Sequence, residues 1–163
     1  MKIGTKSLLF GVHQFMLHPA LVLLAWLIYY KCFPRLFQLC AIVTHDWGYW
    51  GCSNMDGNEG SNHPLRAGKM WRYSKFGRKV MWEIYGHSGS FASVNNFPLS
   101  KLFKADKLSM IFLSCFVYLI LSSLSGEIIE FMKISGYKKF RTQDKIHWFY
   151  GTIHKIMERV YNE

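Results

Sequence analysis

The chain has 163 residues, of which 50% are hydrophobic and 17% aromatic, and it carries 20 Lys and Arg against 10 Asp and Glu. This length fits one domain, and so apolar a composition excludes an intrinsically disordered chain and permits a packed core. The net charge of +10 favours anionic partners, among them nucleotides, nucleic acid and acidic membranes, or simply forms a basic soluble surface.

The predicted elements are helices separated by two loops, and strand signals are weak. In chain order, we predict helices over residues 7–17, 19–31, 34–44, 64–73, 79–85, 99–124 (as one or two helices) and 143–161, with loops over 46–62 and 86–98. Proline opens three of these helices, because its missing N–H costs nothing in a first turn. We therefore predict an all-α domain spanning residues 1–163, with a core over 7–125 and a C-terminal amphipathic helix over about 143–161.

Two apolar runs, residues 21–30 and 110–124, need testing as membrane spans. A span needs roughly 20 apolar residues, so buried helices explain both runs more simply, and we expect no stable membrane insertion. The four cysteines show no C-x-x-C spacing, which argues against a zinc ribbon or a thioredoxin-like site. Their placement, mostly in apolar runs, favours a reducing, cytoplasmic compartment.

The loop over residues 46–62 is long and rich in glycine, and such loops in compact domains are often functional. A calcium-binding loop starting at Asn54 would need glycine where Glu59 stands, so we reject that interpretation. Asp56 and Glu59 are instead candidates for substrate contact or for holding a ligand histidine, with a plain turn as the alternative. Trp50 could stack on a substrate base, with core packing as the alternative.

The adjacent pair His45-Asp46 falls between an apolar helix and this loop. An imidazole and a carboxylate at a helix end can both turn toward one ion. Imidazole suits zinc, iron, nickel and copper, whereas carboxylate suits harder ions such as manganese. The pair is therefore a candidate metal site for several transition metals.

The order of the other histidines and aspartates around this pair resembles the HD-domain superfamily of metal-dependent phosphohydrolases. That pattern has a histidine on an early helix, then an adjacent His-Asp pair, and later a distant aspartate. Here the strings HPALVLLA, HPLRAG and KADKLSMI surround the flanking positions, and the ordered series is His18, His45, Asp46, His63, His87 and Asp106. The whole series is far more specific than the two-letter pair alone.

The resemblance implies a single HD-domain-like helical bundle with one or two divalent ions of Mn, Fe, Co, Ni or Zn. It implies one ion held by His18, His45, Asp46 and Asp106. His63 and His87 would hold a second ion, with Asp46 bridging, or would contact a substrate phosphate. Asp46 would orient or deprotonate the attacking water. His13 is the alternative to His18 as first ligand.

Two basic residues accompany the predicted ligands. Arg66 follows His63 by three positions on one predicted helix, and Lys107 adjoins Asp106. Each could bind a substrate phosphate, Arg66 through a bidentate fork, or each could be a solvated surface cation. The predicted catalytic set is therefore Asp46, His63, Arg66 and Lys107, and the predicted substrate contacts are Arg66, Asp56, Glu59 and Trp50.

We accordingly expect a hydrolase that cleaves a phosphate ester or phosphodiester of a nucleotide or related small molecule. One alternative is an HD scaffold that binds a nucleotide or partner without turnover, and another is a small basic membrane protein. Nucleic acid remains open as a partner, and so do the oligomeric state and the exact substrate.

Overall fold

The computed structural model describes residues 1–162, so Glu163, the last residue of the predicted domain, lies outside the described residues. Regular structure in the described chain consists of α-helices and three short 3-10 turns, without a strand, and the predicted all-α fold is confirmed. The helices are α1 (Ile3–Phe10), α2 (Leu17–Tyr30), α3 (Leu36–Thr44), α4 (His63–Lys69), α5 (Gly77–His87), α6 (Gly89–Val94), α7 (Lys101–Ser109), α8 (Cys115–Ser125), α9 (Glu127–Ile134) and α10 (Thr142–Asn162).

The helix predicted over residues 7–17 is wrong, because α1 ends at Phe10. The next residue, Gly11, is extended, with φ −91° and ψ −158°. The backbone N–H of Val12 then donates to the buried carboxylate of Glu127 at 2.8 Å. We attribute the early end of the helix to this long-range hydrogen bond, which no local sequence pattern predicts.

Serine side chains start new helices in two further stretches, of which the first was predicted as a loop and the second as one or two helices. The loop predicted over residues 86–98 contains α6, which begins where the Ser88 hydroxyl accepts the N–H of Phe91. The long apolar stretch over 99–124 is broken after a 3-10 turn, and Ser114 caps α8 by accepting the N–H of Val117.

No single helix within residues 1–162 is long and apolar enough to cross a membrane. The stretches Lys101–Phe112 and Cys115–Ser125 meet the same criteria of length and composition only together, and they are bent by 108° at the break between them.

The larger apolar core lies where α2, α3, α4, α5 and α7 pack together, and α10 adds its last turns. Its fully buried members are Val22, Ala25, Trp26, Ala41, Ile42, Ala67, Val80, Ile84, Leu102, Ala105, Leu108 and Val160. A second apolar cluster joins α8, α9 and α10, and it includes Val12, Tyr118, Ile128, Met132, Trp148 and Phe149. The first cluster supports the helices that carry the predicted metal ligands.

The buried carboxylate of Glu83 ties three of these helices together. Its oxygens accept the side-chain amide of Gln38 on α3 at 2.9 Å and the backbone N–H of Leu102 on α7 at 3.4 Å. Its own carbonyl oxygen accepts the hydroxyl of Ser100 at 2.8 Å. Because a buried carboxylate is costly without partners, these bonds hold α3, α5 and α7 in one relative arrangement.

We predict that Trp26→Ala lowers the free energy of unfolding by about 3–5 kcal/mol, because it leaves a large cavity in the main core. Trp26 is 1% exposed, whereas Leu24 on the same helix is 42% exposed. Leu24→Ala is the matched control and should change stability by no more than about 0.5 kcal/mol. Urea unfolding followed by circular dichroism measures both. Equal losses would show that α2 does not bury the face we describe.

Candidate metal centre

Four ligand atoms, from α2, α7 and the two residues that follow α3, converge on one point and could hold a metal ion. The Nε2 atom of His18 lies 3.1 Å from His45 Nε2, 3.1 Å from Asp46 Oδ2 and 3.1 Å from Asp106 Oδ1. The Nε2 atom of His45 lies 3.2 Å from Asp46 Oδ2 and 3.5 Å from Asp106 Oδ1. We call these four residues the first ligand group.

A second ligand group lies on the other side of Asp46 and consists of Asp46, His63 and His87. The Nε2 atoms of His63 and His87 are 3.0 Å apart. They lie 3.5 Å and 3.6 Å from Asp46 Oδ1, the oxygen that does not face the first group. The carboxylate of Asp46 therefore bridges the two groups.

Three of the four ligand histidines are oriented by the same backbone contact. The Nδ1 atoms of His45 and His63 donate to the carbonyl oxygens three residues earlier, at 2.9 Å and 2.8 Å. His87 makes the same contact with Ile84. Because a carbonyl oxygen only accepts, each Nδ1 carries a proton, so that a neutral ring presents its Nε2 lone pair to its group. His45 and His87 stand at helix C-termini, where such carbonyls lack partners within the helix.

The spacing within each group fits metal ligands better than it fits hydrogen-bonded side chains. Ligands about 2.0–2.2 Å from an ion lie about 3.0–3.6 Å from one another, the range seen in both groups. In the second group, the lone pairs of the neutral imidazoles of His63 and His87, whose Nε2 atoms are 3.0 Å apart, also repel unless a cation lies between them. In addition, Asp46 Oδ2 is buried and has no hydrogen-bond partner in the part of the chain that the structure describes. A cation would satisfy this oxygen.

The electrostatics of the carboxylates also suit cation binding. Burial raises the pKa of Asp46, but the neighbouring imidazoles outweigh burial and hold that pKa well below its usual range. Burial likewise opposes ionisation of Asp106, whereas Lys107 and the imidazoles hold its pKa well below the usual range. Both carboxylates are therefore ionised near neutral pH.

The imidazole of His45 differs in protonation from those of His63 and His87. Burial lowers the pKa of His63 and of His87, so both rings are neutral ligands at pH 7. Burial also disfavours charge on His45, but Asp46 and Asp106 raise its pKa to about 10. A proton thus competes with a metal ion for the first group, and metal binding there should release it.

His13, the alternative first ligand, lies outside both groups. Its Nδ1 donates to Glu127 Oε2 at 2.9 Å, and the hydroxyls of Ser7 and Ser125 donate to the same carboxylate at 2.7 Å each. Burial opposes charge on His13, but Glu127 raises its pKa to about 9. His13 is thus a protonated, positioned imidazole beside the centre, and it could give a proton to a bound molecule.

A polar cavity of about 220 Å³ opens directly onto the second ligand group. Lys107 and Arg159 line it, and Lys107 Nζ also lies 3.0 Å from Asp106 Oδ2. Its remaining walls include the hydroxyl residues Ser61, Ser88 and Ser90, the glycine between the last two, and His13, Tyr49 and Asp56. Cations and hydroxyl groups are typical of a phosphate-binding site.

The structure separates the predicted substrate contacts. Lys107 and Asp56 line the polar cavity. Arg66 does not line it: its guanidinium donates to the carbonyl oxygen of Trp50 at 2.6 Å and to the sulfur of Cys52, so it supports the loop after Asp46. Arg66 lies on the same helix as His63, and its guanidinium is engaged by the loop that follows Asp46.

Glu59 and Trp50 also lie outside the described lining of the polar cavity. The carboxylate of Glu59 accepts the N–H of Ser53 at 2.7 Å within its own exposed loop. The ring of Trp50 is 52% exposed and stacks on Phe15, with centroids 6.0 Å apart. Its neighbour Tyr49 takes the position expected of Trp50, because it lines the cavity and stacks on His63 at 3.9 Å.

Sequence reasoning missed Arg159 because the last helix showed only an amphipathic pattern. The guanidinium carbon of Arg159 lies 4.9 Å from the ring centroid of Phe103 on α7, and Arg159 lines the polar cavity. No local motif predicts which face of a terminal helix will cover a site. His13 was considered only as a ligand, and its partner Glu127 gave no signal, because the two are far apart in the chain.

No family model, curated protein or solved structure matches this chain. The likeness to the HD-domain superfamily therefore depends on the ordered residues and on their geometry. The fold and the site together define a helical protein with a buried cluster of His and Asp side chains that could bind metal ions, and this cluster is compatible with an HD-type centre.

We predict that the purified protein binds about two divalent ions per chain, one in each ligand group. His63→Ala should reduce this to about one, because it removes a ligand from the second group only, and Asp46→Ala should impair both. His154→Ala is the matched control, because that imidazole lies on the surface with a side chain 75% exposed. Metal content is measured by mass spectrometry after dialysis. Two ions retained in Asp46→Ala would contradict the bridging role.

We predict that the stability due to the buried His13–Glu127 pair depends on pH. The pKa of His13 rises from 6.5 to about 9 on folding, so its contribution is complete below pH 6.5 and is lost as the pH rises through about 9. The pKa of Glu127 falls below 4.5, so its contribution is present above that pH and is lost in acid. Both contributions are complete between about pH 4.5 and 6.5. In this range Glu127→Gln should lower the free energy of unfolding most, by about 3–5 kcal/mol.

The exposed pair His154 and Glu158 provides the control for this prediction, because its atoms lie 3.3 Å apart but both side chains are more than half exposed. Glu158→Gln should cost less than about 1 kcal/mol at every pH. Urea unfolding of metal-free protein across this pH range measures both variants. A cost for Glu127→Gln that stays constant up to pH 10 would contradict the assignment.

Proposed function

We propose that the protein is a metal-dependent phosphohydrolase of the HD-domain type, which cleaves a phosphate ester of a nucleotide or related small molecule. The observation that carries this proposal is the bridging carboxylate of Asp46, which faces imidazoles on both sides and lies next to a cationic cavity. A single structural ion would need only one of the two groups, and it would not need an adjoining anion site.

The ligand set suits catalytic rather than purely structural ions. Imidazole and carboxylate together favour Mn, Fe, Co, Ni or Zn, and the absence of thiolate from both groups argues against a closed structural zinc site. Ions bound there would supply Lewis acidity toward a phosphoryl oxygen and would lower the pKa of a bound water.

The neighbouring residues have separate roles in binding the phosphoryl group and in orienting water. Lys107 and Arg159 neutralise the charge of a phosphoryl group in the polar cavity, and hydroxyl groups of Ser61, Ser88 and Ser90 donate to its oxygens. Because its pKa is held well below the usual range, Asp46 is a weak base. We therefore assign it the bridging and orienting role and not that of removing a proton from water.

The test is phosphate release from a panel of nucleotides and small phosphate esters. Protein stripped with chelator is reloaded separately with Mn, Fe, Co, Ni and Zn. We expect release only with metal. Asp46→Asn should lower the rate of release by about 100-fold or more, because mutation of even a residue that hydrogen-bonds to a metal ligand typically lowers activity about 10–100-fold. Asp144→Asn is the matched control, because that carboxylate pairs with Arg141 away from the centre, and its activity should be unchanged.

Two outcomes would contradict this proposal. Phosphate release that persists in stripped protein, or in Asp46→Asn, would place the chemistry elsewhere. Tight metal-dependent nucleotide binding with no release from any substrate would favour the binding scaffold without turnover.

A further inference from the structure

A second and larger cavity, of about 300 Å³, adjoins the polar one. The two share part of their walls, namely His13, Tyr49, Asp56, Asp106 and Lys107. The two cavities are therefore adjacent at these five residues, beside the metal centre. We call the larger one the apolar cavity.

The walls of the apolar cavity beyond this shared end are mainly hydrophobic and aromatic. They comprise Val12, Leu21, Met110, Leu113, Tyr118, Phe131, Trp148, Thr152 and Ile156, together with His18 and Ser109 near the metal ligands. The rings of Phe131 and Trp148 are nearly parallel, with an interplanar angle of 9°. Apart from Lys107 at the shared end, no Lys or Arg occurs among the described lining residues.

This division of polarity restricts the substrate. Beyond the shared end, where Lys107 and the protonated His13 lie, a second or third phosphate group would lose its hydration without meeting a Lys or Arg side chain. This loss costs several kcal/mol per charge. An uncharged aromatic group would instead exchange water for flat hydrophobic walls. The volume is also too large for an ordinary packing defect, because voids larger than a water molecule are few in protein interiors.

We infer that the apolar cavity holds the leaving group of a phosphate monoester, and that this group is an uncharged aromatic alcohol, or a nucleoside presenting its base. The inference rests on the proposed function and narrows its substrate class. It excludes nucleoside triphosphates and other polyphosphates as preferred substrates. The phosphoryl group occupies the polar cavity, beside Lys107 and Arg159.

The reaction is a hydrolysis and needs no further reactant. The oxygen of water forms a new bond to phosphorus, and the bond from phosphorus to the ester oxygen breaks. The ester oxygen leaves with the alcohol and takes up one proton, while inorganic phosphate keeps the oxygen from water. The alcohol then vacates the apolar cavity.

The wild-type protein provides the first test. With Mn²⁺ bound, kcat/KM for phenyl phosphate and for adenosine monophosphate is compared with that for methyl phosphate and for adenosine triphosphate. We expect at least one of the first two to exceed both of the others by about tenfold or more, the scale of a filled hydrophobic pocket. The aryl ester and the nucleotide distinguish a simple aromatic alcohol from a nucleoside. Equal values across the panel, or a preference for the triphosphate, would overturn the inference.

The second test blocks the apolar cavity. Thr152 lies on α10 and is half-buried against this cavity, so Thr152→Phe adds an aromatic ring into its space. It should lower kcat/KM for the preferred aromatic ester by about tenfold and change that for methyl phosphate by less than about threefold. Gln143→Phe is the matched control, since it adds the same ring at an exposed position of the same helix. A parallel loss for both esters would overturn the inference.

Binding without turnover separates this inference from the proposed function. Phenylphosphonate and methylphosphonate lack the scissile ester bond, and calorimetry measures their binding to the Mn²⁺-loaded wild type and to Thr152→Phe. Tighter binding of the phenyl compound, lost in Thr152→Phe, supports the cavity assignment even if no ester is hydrolysed, in which case the proposed function alone fails. Equal binding of both compounds in the wild type would overturn the inference, whether or not esters are cleaved.

Discussion

The structure depends above all on the carboxylate of Asp46, whose two oxygens face two separate groups of imidazoles. One oxygen lies within 3.2 Å of His18 and His45, and the other lies within 3.6 Å of His63 and His87. So many lone pairs and so much negative charge repel at these distances unless cations compensate them. The same concentration of donors that is costly in the metal-free chain is therefore what would favour a bound metal ion.

The fold meets this constraint by presenting ligands at helix ends and by fixing each ring from behind. The contact from Nδ1 to the carbonyl oxygen three residues earlier recurs in three ligand histidines, although they belong to different parts of the chain. The loop after Asp46 must also pass close to the start of α4, where a Cβ on Gly48 would collide with the carbonyl oxygen of His63. Glu83 then holds α3, α5 and α7 together. The geometry of the centre is thus set by backbone contacts and not by the ligands alone.

The region around the centre combines two kinds of surface, which are the basis for the phosphate ester that we propose as substrate. Charged and hydroxyl side chains line the polar cavity at the second ligand group, whereas aromatic side chains line much of the apolar cavity. His13 and Tyr49 line both cavities. The last helix contributes to both sides, through Arg159 and through Thr152 and Ile156. A helix that sequence patterns describe only as amphipathic therefore completes the proposed substrate site.

The sequence by itself determined the all-α class, because helical periodicity and proline positions are local properties. The ordered His and Asp residues were also readable from it, since ligand chemistry depends on residue type. Only the tertiary structure decided that His18 and not His13 joins the first group, that the loop binds Arg66, and that α10 brings Arg159 to the centre. These outcomes depend on contacts between residues far apart in the chain. The free energy of these contacts arises only in the packed structure, so no short stretch of sequence determines it.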